Sequence, residues 1–298
     1  MAELQQYKRQ KDLAAQLHQE VQLAEKGRWR LHWLGQAGYA ITIDGQCLIV
    51  DPYLSDTLAV KYRGGEFPHA RMMPIPIDPG CLNEVSCVLC SHSHTDHMDP
   101  GTLPHIAEAS PDAKFIVPTA SVDTASIRGV PASRMISVNA GDTLQLEGNL
   151  ELTVVAAAHD ELKEDAMGNH YFLGFILSDG KTRIYHSGDC VNYEGLAETL
   201  SAYKIDLALL PVNGRDPHLT QNGIMGNFSF EEAADLCRKC RIPYMIPHHF
   251  GMFAENTIDE KELEDKISAL ADGLICIKPQ TGQVLELFPE ETTGDSHE

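Results

Sequence analysis

The chain has 298 residues, 43% of them hydrophobic, which is enough for one large core or two modest ones. Asp and Glu number 43 against 23 Lys and Arg, a formal net charge of −20. So acidic a surface repels nucleic acid and anionic membranes, and neither is expected as a partner; a small anionic substrate remains admissible where bound cations supply local positive charge.

The eight cysteines are spread through apolar runs, and the N-terminal residues hold no apolar secretory core. The expectation is a soluble, cytoplasmic protein with reduced thiols and no membrane span.

Residues 2–26 read as a helix, with Leu4, Leu13, Leu17, Val21 and Leu23 at near-helical spacing and Gly27 as the stop. Residues 1–27 are thus expected to form a helical extension, able to pack on the following domain or on a second copy in a homo-oligomer. From Arg28, Trp29, Leu31 and Trp33 alternate with Arg30, His32 and Leu34, a strand pattern. A turn at Gln36-Ala37-Gly38, a strand over 39–43, a turn at Asp44-Gly45 and a strand over 47–50 follow, and Asp51-Pro52 opens another turn. Residues 53–80 lack periodicity and are expected to be a lid or substrate loop, with Arg63 or Arg71 available to hold an anion.

The apolar run 85–90 reads as a buried strand and delivers Ser91-His92-Ser93-His94-Thr95-Asp96-His97 to a loop. Neutral imidazoles suit zinc, iron or manganese, and a carboxylate widens the choice toward harder ions. Asp96 and His97 lie too close to His92 and His94 to join them around one ion without strain. The spacing suits two neighbouring ions.

Further along, 100–110 reads as helix, 115–118 as strand, 118–138 as helix, turn and strand, and 142–158 as a hairpin. Strands over 181–186 and 243–247 end in Ser187-Gly188-Asp189 and in His248-His249. Ser229 and Glu232 form a capping box for a covering helix. Cys87 and Cys90 sit in a strand pattern that points them to opposite faces; Cys237 and Cys240 share a helix face, with core packing the expected role. Residues 290–298 form an acidic tail, expected to be disordered.

The pattern His-x-His-x-Asp-His resembles the signature of the metallo-β-lactamase superfamily. That resemblance implies an α/β fold, a four-layer αββα sandwich over residues 28–289, with a metal site at one edge. It implies three further ligands, which fall on His159 at the end of the hairpin strand, on Asp189 as a bridging carboxylate, and on His249, with His248 as the alternative. One site would then hold His92, His94, His159 and Asp189, and the other Asp96, His97, His249 and the shared Asp189. Asp51 matches a residue that orients a ligand histidine.

The stretches WLGQAGYAI, SHSHTDHMD, NHYFLGFI, IYHSGDCVNY and PHHF are together similar to the L-ascorbate-6-phosphate lactonase branch. The chain departs from that branch in having His159 and in being shorter. The likeness implies two divalent ions, Zn2+ or Mn2+, and hydrolysis of a small anionic lactone by a hydroxide held between them, with Asp96 as the catalytic carboxylate. Arg215, Asn213, His170 and Tyr193 are the expected substrate contacts. The alternatives are a phosphodiesterase of the same superfamily and a non-catalytic metal-binding scaffold. Members acting on N-acyl phosphatidylethanolamine are disfavoured, because no basic amphipathic stripe is present.

Overall fold

The computed structural model describes residues 2–8, 12–271 and 273–289. The first sheet holds β1 (Ala2–Lys8), β2 (Trp29–Gly35), β3 (Gly38–Ile43), β4 (Gln46–Val50), β5 (Cys87–Leu89), β6 (Lys114–Pro118) and β7 (Met135–Val138). The second holds β8 (Thr143–Gln145), β9 (Glu151–Ala156), β10 (Leu173–Ser178), β11 (Arg183–His186), β12 (Leu207–Pro211), β13 (Tyr244–His248) and β14 (Ile275–Cys276). The last strand, β15 (Gln283–Pro289), returns to the first sheet, whose order is β1-β15-β2-β3-β4-β5-β6-β7; the second runs β14-β13-β12-β11-β10-β9-β8.

Strict alternation builds the layers. Trp29, Leu31, Trp33, Tyr39, Ile41, Leu48, Val50 and Leu89 point into a core shared with β9–β13. Leu34, Ala40, Ile49, Val88, Phe115 and Val117 point the other way, onto helices. Those helices are α1 (Leu13–Leu23), α3 (Leu103–Ala109) and α4 (Val122–Ile127); α2 (Thr57–Lys61) lies in the long loop before β5. The second sheet is covered by α5 (Leu196–Ser201), α7 (Phe230–Cys240) and α8 (Glu260–Ser268), with α6 (Pro217–Gln221) in a connecting loop. Helix, sheet, sheet and helix therefore stack in four layers, because strands with two apolar faces need cover on both. The capping box at Ser229 and Glu232 starts α7 as the sequence indicates. Cys87 lies in the inter-sheet core and Cys90 in the helix-side core, so they do not meet.

The N-terminus departs from the helix expected over residues 2–26. Residues 2–8 form β1, antiparallel to β15 from Ala2↔Pro289 to Lys8↔Gln283, and the helix is only α1. The partner strand lies at the far end of the sequence, and its ladder overrides the helical propensity of the Leu and Gln residues. Asp12 caps α1 by accepting from Ala15 N at 3.2 Å, and Ala24, left-handed at φ 44°, ends it before Gly27. The tail 290–298 lies outside the described residues. Among the described residues no helix is long and apolar enough to cross a membrane.

One polar knot pins α1 to the sheet. Glu20 is buried, with Oε2 2.9 Å from His32 Nε2 and accepting from Thr42 Oγ1 at 2.7 Å; Gln16 Nε2 donates to Oε1 at 3.0 Å. Burial pushes the Glu20 carboxyl up, but His32, Thr42 and Gln16 outweigh it and hold it below its ordinary 4.5. A carboxyl held low in the folded state stabilises the fold above the unfolded value and loses that contribution as pH falls. Glu20→Leu strands two buried polar groups and is expected to cost about 1–3 kcal/mol at pH 7. It should also flatten the decline of the urea midpoint below about pH 4.5. Urea unfolding at several pH values measures both; an unchanged midpoint at pH 7 would show that the knot contributes nothing.

Candidate metal centre

Parallel pairing collects the site. β4, β5 and β6 run parallel in the first sheet, and β11, β12 and β13 in the second. Their C-terminal ends lie along one edge of the sandwich, where loop residues of both sheets converge. The loop after β5 brings His92, His94, Asp96 and His97; those after β9, β11 and β13 bring His159, Asp189 and His249.

These seven side chains form two clusters, His92/His94/His159/Asp189 and Asp96/His97/His249, with donor atoms within 4.8 Å of one another in each. Asp189 joins them. Its Oδ2 is 3.2 Å from His159 Nε2 and 3.4 Å from His249 Nε2, and its Oδ1 is 3.3 Å from His97 Nε2. Asp96 Oδ2 is 3.6 Å from both His97 Nε2 and His249 Nε2. Ligands about 2.1 Å from one ion at tetrahedral angles stand about 3.4 Å apart, close to these separations. His92 Nε2, His97 Nε2 and Asp189 Oδ1 are buried with no hydrogen-bond partner. Buried polar atoms left unpaired are costly, and a cation between them would satisfy them. The donor set therefore fits one or two divalent ions. None of the cysteines belongs to either cluster.

The charges point the same way. Burial pushes the Asp189 and Asp96 carboxyls up, but the facing His249 and His97 hold both well below the usual range. Burial pulls His97 toward its neutral form, yet Asp189, Asp96 and Asp51 outweigh it and raise it well above its ordinary value. His249 is raised to about 9 against its burial, chiefly by Asp189 and Asp96. Burial and its imidazole neighbours hold His92 well below its ordinary value, so it offers a free lone pair.

A supporting layer fixes the donors. Asp51 Oδ2 lies 2.8 Å from His97 Nδ1, while its Oδ1 accepts from Ser91 N at 2.6 Å. The ring of Phe172 packs against His92, His94 and His159 at centroid distances of 5.1, 5.9 and 5.4 Å. Gly188, at φ 59°, runs so close to Ser91 that a Cβ would stand 2.6 Å from Ser91 Cβ. His248 belongs to neither cluster; it stacks on His186, centroids 5.0 Å apart, and His186 in turn accepts from Gly188 N at 3.0 Å. Of the two adjacent histidines it is His249 that joins the donors.

The donors open into a cavity of ≈ 360 Å³. Its far wall is the loop over 53–80, where Tyr62 stacks on His69 at 4.6 Å and His69 meets Phe253 at 5.3 Å. Lys61 and Arg128 also line it. Arg71 is an internal strut of this loop: its Nη1 donates to Tyr53 O at 2.9 Å, and its guanidinium lies over the Tyr53 ring. Arg63 is exposed on the same loop and is absent from the lining.

The structure does not bring the four expected substrate contacts into the cavity. Arg215 is held by Glu232 at 2.5 Å and by Asn227 O at 2.9 Å. Asn213 sits one layer back, donating to Asn256 Oδ1 at 2.7 Å, and Asn256 is the one that lines the cavity. His170 is engaged by Asn139 and Glu164, and Tyr193 donates to Ala156 O at 2.8 Å. Sequence reasoning missed Gln36, Phe172 and Asn256. The first two lie in stretches singled out for their family likeness, but only as a turn residue and an apolar one.

Removing the Asp51 carboxylate by Asp51→Ala frees His97 to rotate and should weaken divalent-ion binding about 10- to 100-fold, as loss of a ligand-orienting partner does elsewhere. A ligand imidazole must be neutral, so ion binding at the Asp96/His97/His249 cluster should also release protons below about pH 9 and weaken as pH falls. Titration calorimetry of metal-stripped protein in buffers of different ionisation enthalpy reads both; no proton release at pH 7 would contradict the charge balance described.

A family model described as a beta-lactamase superfamily domain matches residues 47–250. The UPF0173 metal-dependent hydrolase of Metallosphaera sedula is 26% identical over 261 residues, 87% of this chain and 99% of that protein. Among solved structures, the isothiocyanate hydrolase from Delia radicum gut bacteria superposes with TM-score 0.68 at 17% identity, covering 86% of this chain and 98% of that one. The metallo-beta-lactamase fold protein YhfI from Bacillus subtilis gives TM-score 0.60 at 15% identity, covering 88% of this chain and 100% of that one. With two sheets between helix layers and the histidine motif at their shared edge, the chain belongs to the metallo-β-lactamase superfamily.

Proposed function

We propose that the protein is a metal-dependent hydrolase that uses two divalent cations, Zn2+ or Mn2+, to open a small anionic lactone. The observation that carries the hydrolase reading is the pair of donor clusters sharing Asp189, with unpaired buried atoms, at the floor of an accessible cavity. The Metallosphaera sedula relative, named a metal-dependent hydrolase, supports it. When bound, such ions polarise an electrophile's oxygen and make water acidic enough to attack near neutral pH.

The chain's own residues would do the rest. His92, His94, His159 and Asp189 would hold one ion and Asp96, His97 and His249, with Asp189, the other. Asp96 lines the cavity and, being ionised, can take a proton from the attacking water and return it to the leaving oxygen. Lys61 and Arg128 would favour a negative substituent, and Phe253, Tyr62 and His69 offer flat apolar surface to a ring. A cavity of ≈ 360 Å³ suits a small molecule. The formal charge of −20 argues against a nucleic-acid substrate.

The test is hydrolysis of L-ascorbate-6-phosphate by Mn2+- and Zn2+-loaded protein, beside an Asp96→Asn control and a generic phosphodiester. Ring opening that falls about 10²- to 10⁴-fold in Asp96→Asn supports the lactonase reading. Phosphodiester cleavage without lactone opening would move the substrate to the other class, and neither reaction with two ions bound would refute both substrates.

A further inference from the structure

Gln36 is 1% exposed and sits in the turn between β2 and β3, at φ 51°. Its backbone oxygen accepts from His249 N and from Trp33 Nε1, each at 3.0 Å, so its place beside His249 is fixed by the main chain. Its side chain reaches into the donor cluster. Nε2 lies 2.9 Å from Asp96 Oδ2 and 3.0 Å from His249 Nε2, two atoms that are themselves 3.6 Å apart. Oε1 is buried with no partner.

The three separations form a triangle with edges of the length found between neighbouring ligands of one ion. Nitrogen and oxygen ligands about 2.1 Å from an ion stand about 3.0 Å apart in an octahedron and about 3.4 Å apart in a tetrahedron. The end of the Gln36 side chain is thus placed where a further ligand of an ion held by Asp96 and His249 would stand. The two end atoms of a carboxamide have the same shape, and a half-turn about Cγ–Cδ exchanges Nε2 for Oε1 at that place. His249 Nε2 has one lone pair, and once that is given to a cation it can no longer face an NH2 group as an acceptor, whereas a carbonyl oxygen is itself a ligand.

We propose that Gln36 is a further protein ligand of the Asp96/His97/His249 site, coordinating through Oε1 once a cation enters. The proposal rests on the two-ion reading above. It has a consequence for metal choice. His92, His94, His159 and Asp189 offer four donors, a set that suits tetrahedral zinc. With Gln36 and the shared Asp189, the second site offers five donors, three of them from oxygen-bearing side chains. More ligands and harder ones favour an ion such as Mn2+ there. The two sites of one centre would then differ in preference.

Equilibrium dialysis of the metal-stripped full chain against Mn2+ and Zn2+, for wild type, Gln36→Leu and Gln36→Glu, tests this. Wild type should bind two ions. Gln36→Leu should keep the ion at the His92/His94/His159 site and weaken the other about 10- to 100-fold for Mn2+, with a smaller loss for Zn2+. Co2+ at that site should gain visible absorption as its coordination number drops. Gln36→Glu, which restores an oxygen ligand, should bind Mn2+ at least as tightly as wild type. This arm stands even if Gln36→Leu folds poorly. Two ions in wild type, with Mn2+ and Zn2+ affinities unchanged in Gln36→Leu or both equally weakened in Gln36→Glu, would overturn the Gln36 assignment and leave the two-ion reading intact. A single ion in wild type would overturn both.

Discussion

The carboxylate of Asp189 is the constraint on which the centre depends. It is buried, it faces imidazole nitrogens from three separate loops, and one of its oxygens has no hydrogen-bond partner. A charge placed this way is tolerable only if positive charge is held between it and its neighbours. The protein's own protons on His97 and His249 can supply that charge, and so can a divalent ion. The competition between proton and ion makes the centre a cation site with a built-in pH dependence.

Much of the surrounding structure serves that geometry. The turn that carries Asp189 passes so close to Ser91 that a side chain at the preceding position would clash, which is why glycine stands at 188. Within each sheet the strands that deliver the donors run parallel, β5 with β4 and β6, and β11 with β12 and β13, because helices such as α3, α5 and α7 return the chain between successive strands in the same direction. Asp51 holds the His97 ring from behind, Phe172 walls three other imidazoles, and the His186–His248 stack sits beneath the turn that carries Asp189. The aromatic loop walls one side of the cavity, with Arg71 tying it to Tyr53 from inside. Ordering so many side chains around buried charge costs stability, which the apolar packing between the sheets must offset.

The readable part of this arrangement was local. His92, His94, Asp96 and His97 lie within a few residues, after an apolar run, so their spacing alone points to a cation site. His159, Asp189 and His249 each follow a strand, but singly they look like any polar residue at a strand end; only family likeness assigned them. What could not be read depends on distant contacts. β1 pairs with β15 across nearly the whole chain, and nothing within residues 2–8 signals that partner. Gln36 reads in sequence as a turn residue, because the groups its side chain meets, His249 and Asp96, are far away along the chain. Arg215 reads in sequence as an available anion clamp because its partners, Glu232 and Asn227, are brought to it only by folding.

The most direct test of the central claim is anomalous diffraction from crystals of the protein grown with Mn2+ and Zn2+, with data collected on each side of both absorption edges. Two peaks flanking the Asp189 carboxylate, one among His92, His94 and His159 and one among Asp96, His97 and His249, are the predicted result. An ordered donor set with no anomalous peak at saturating metal, or peaks only elsewhere on the chain, would contradict it.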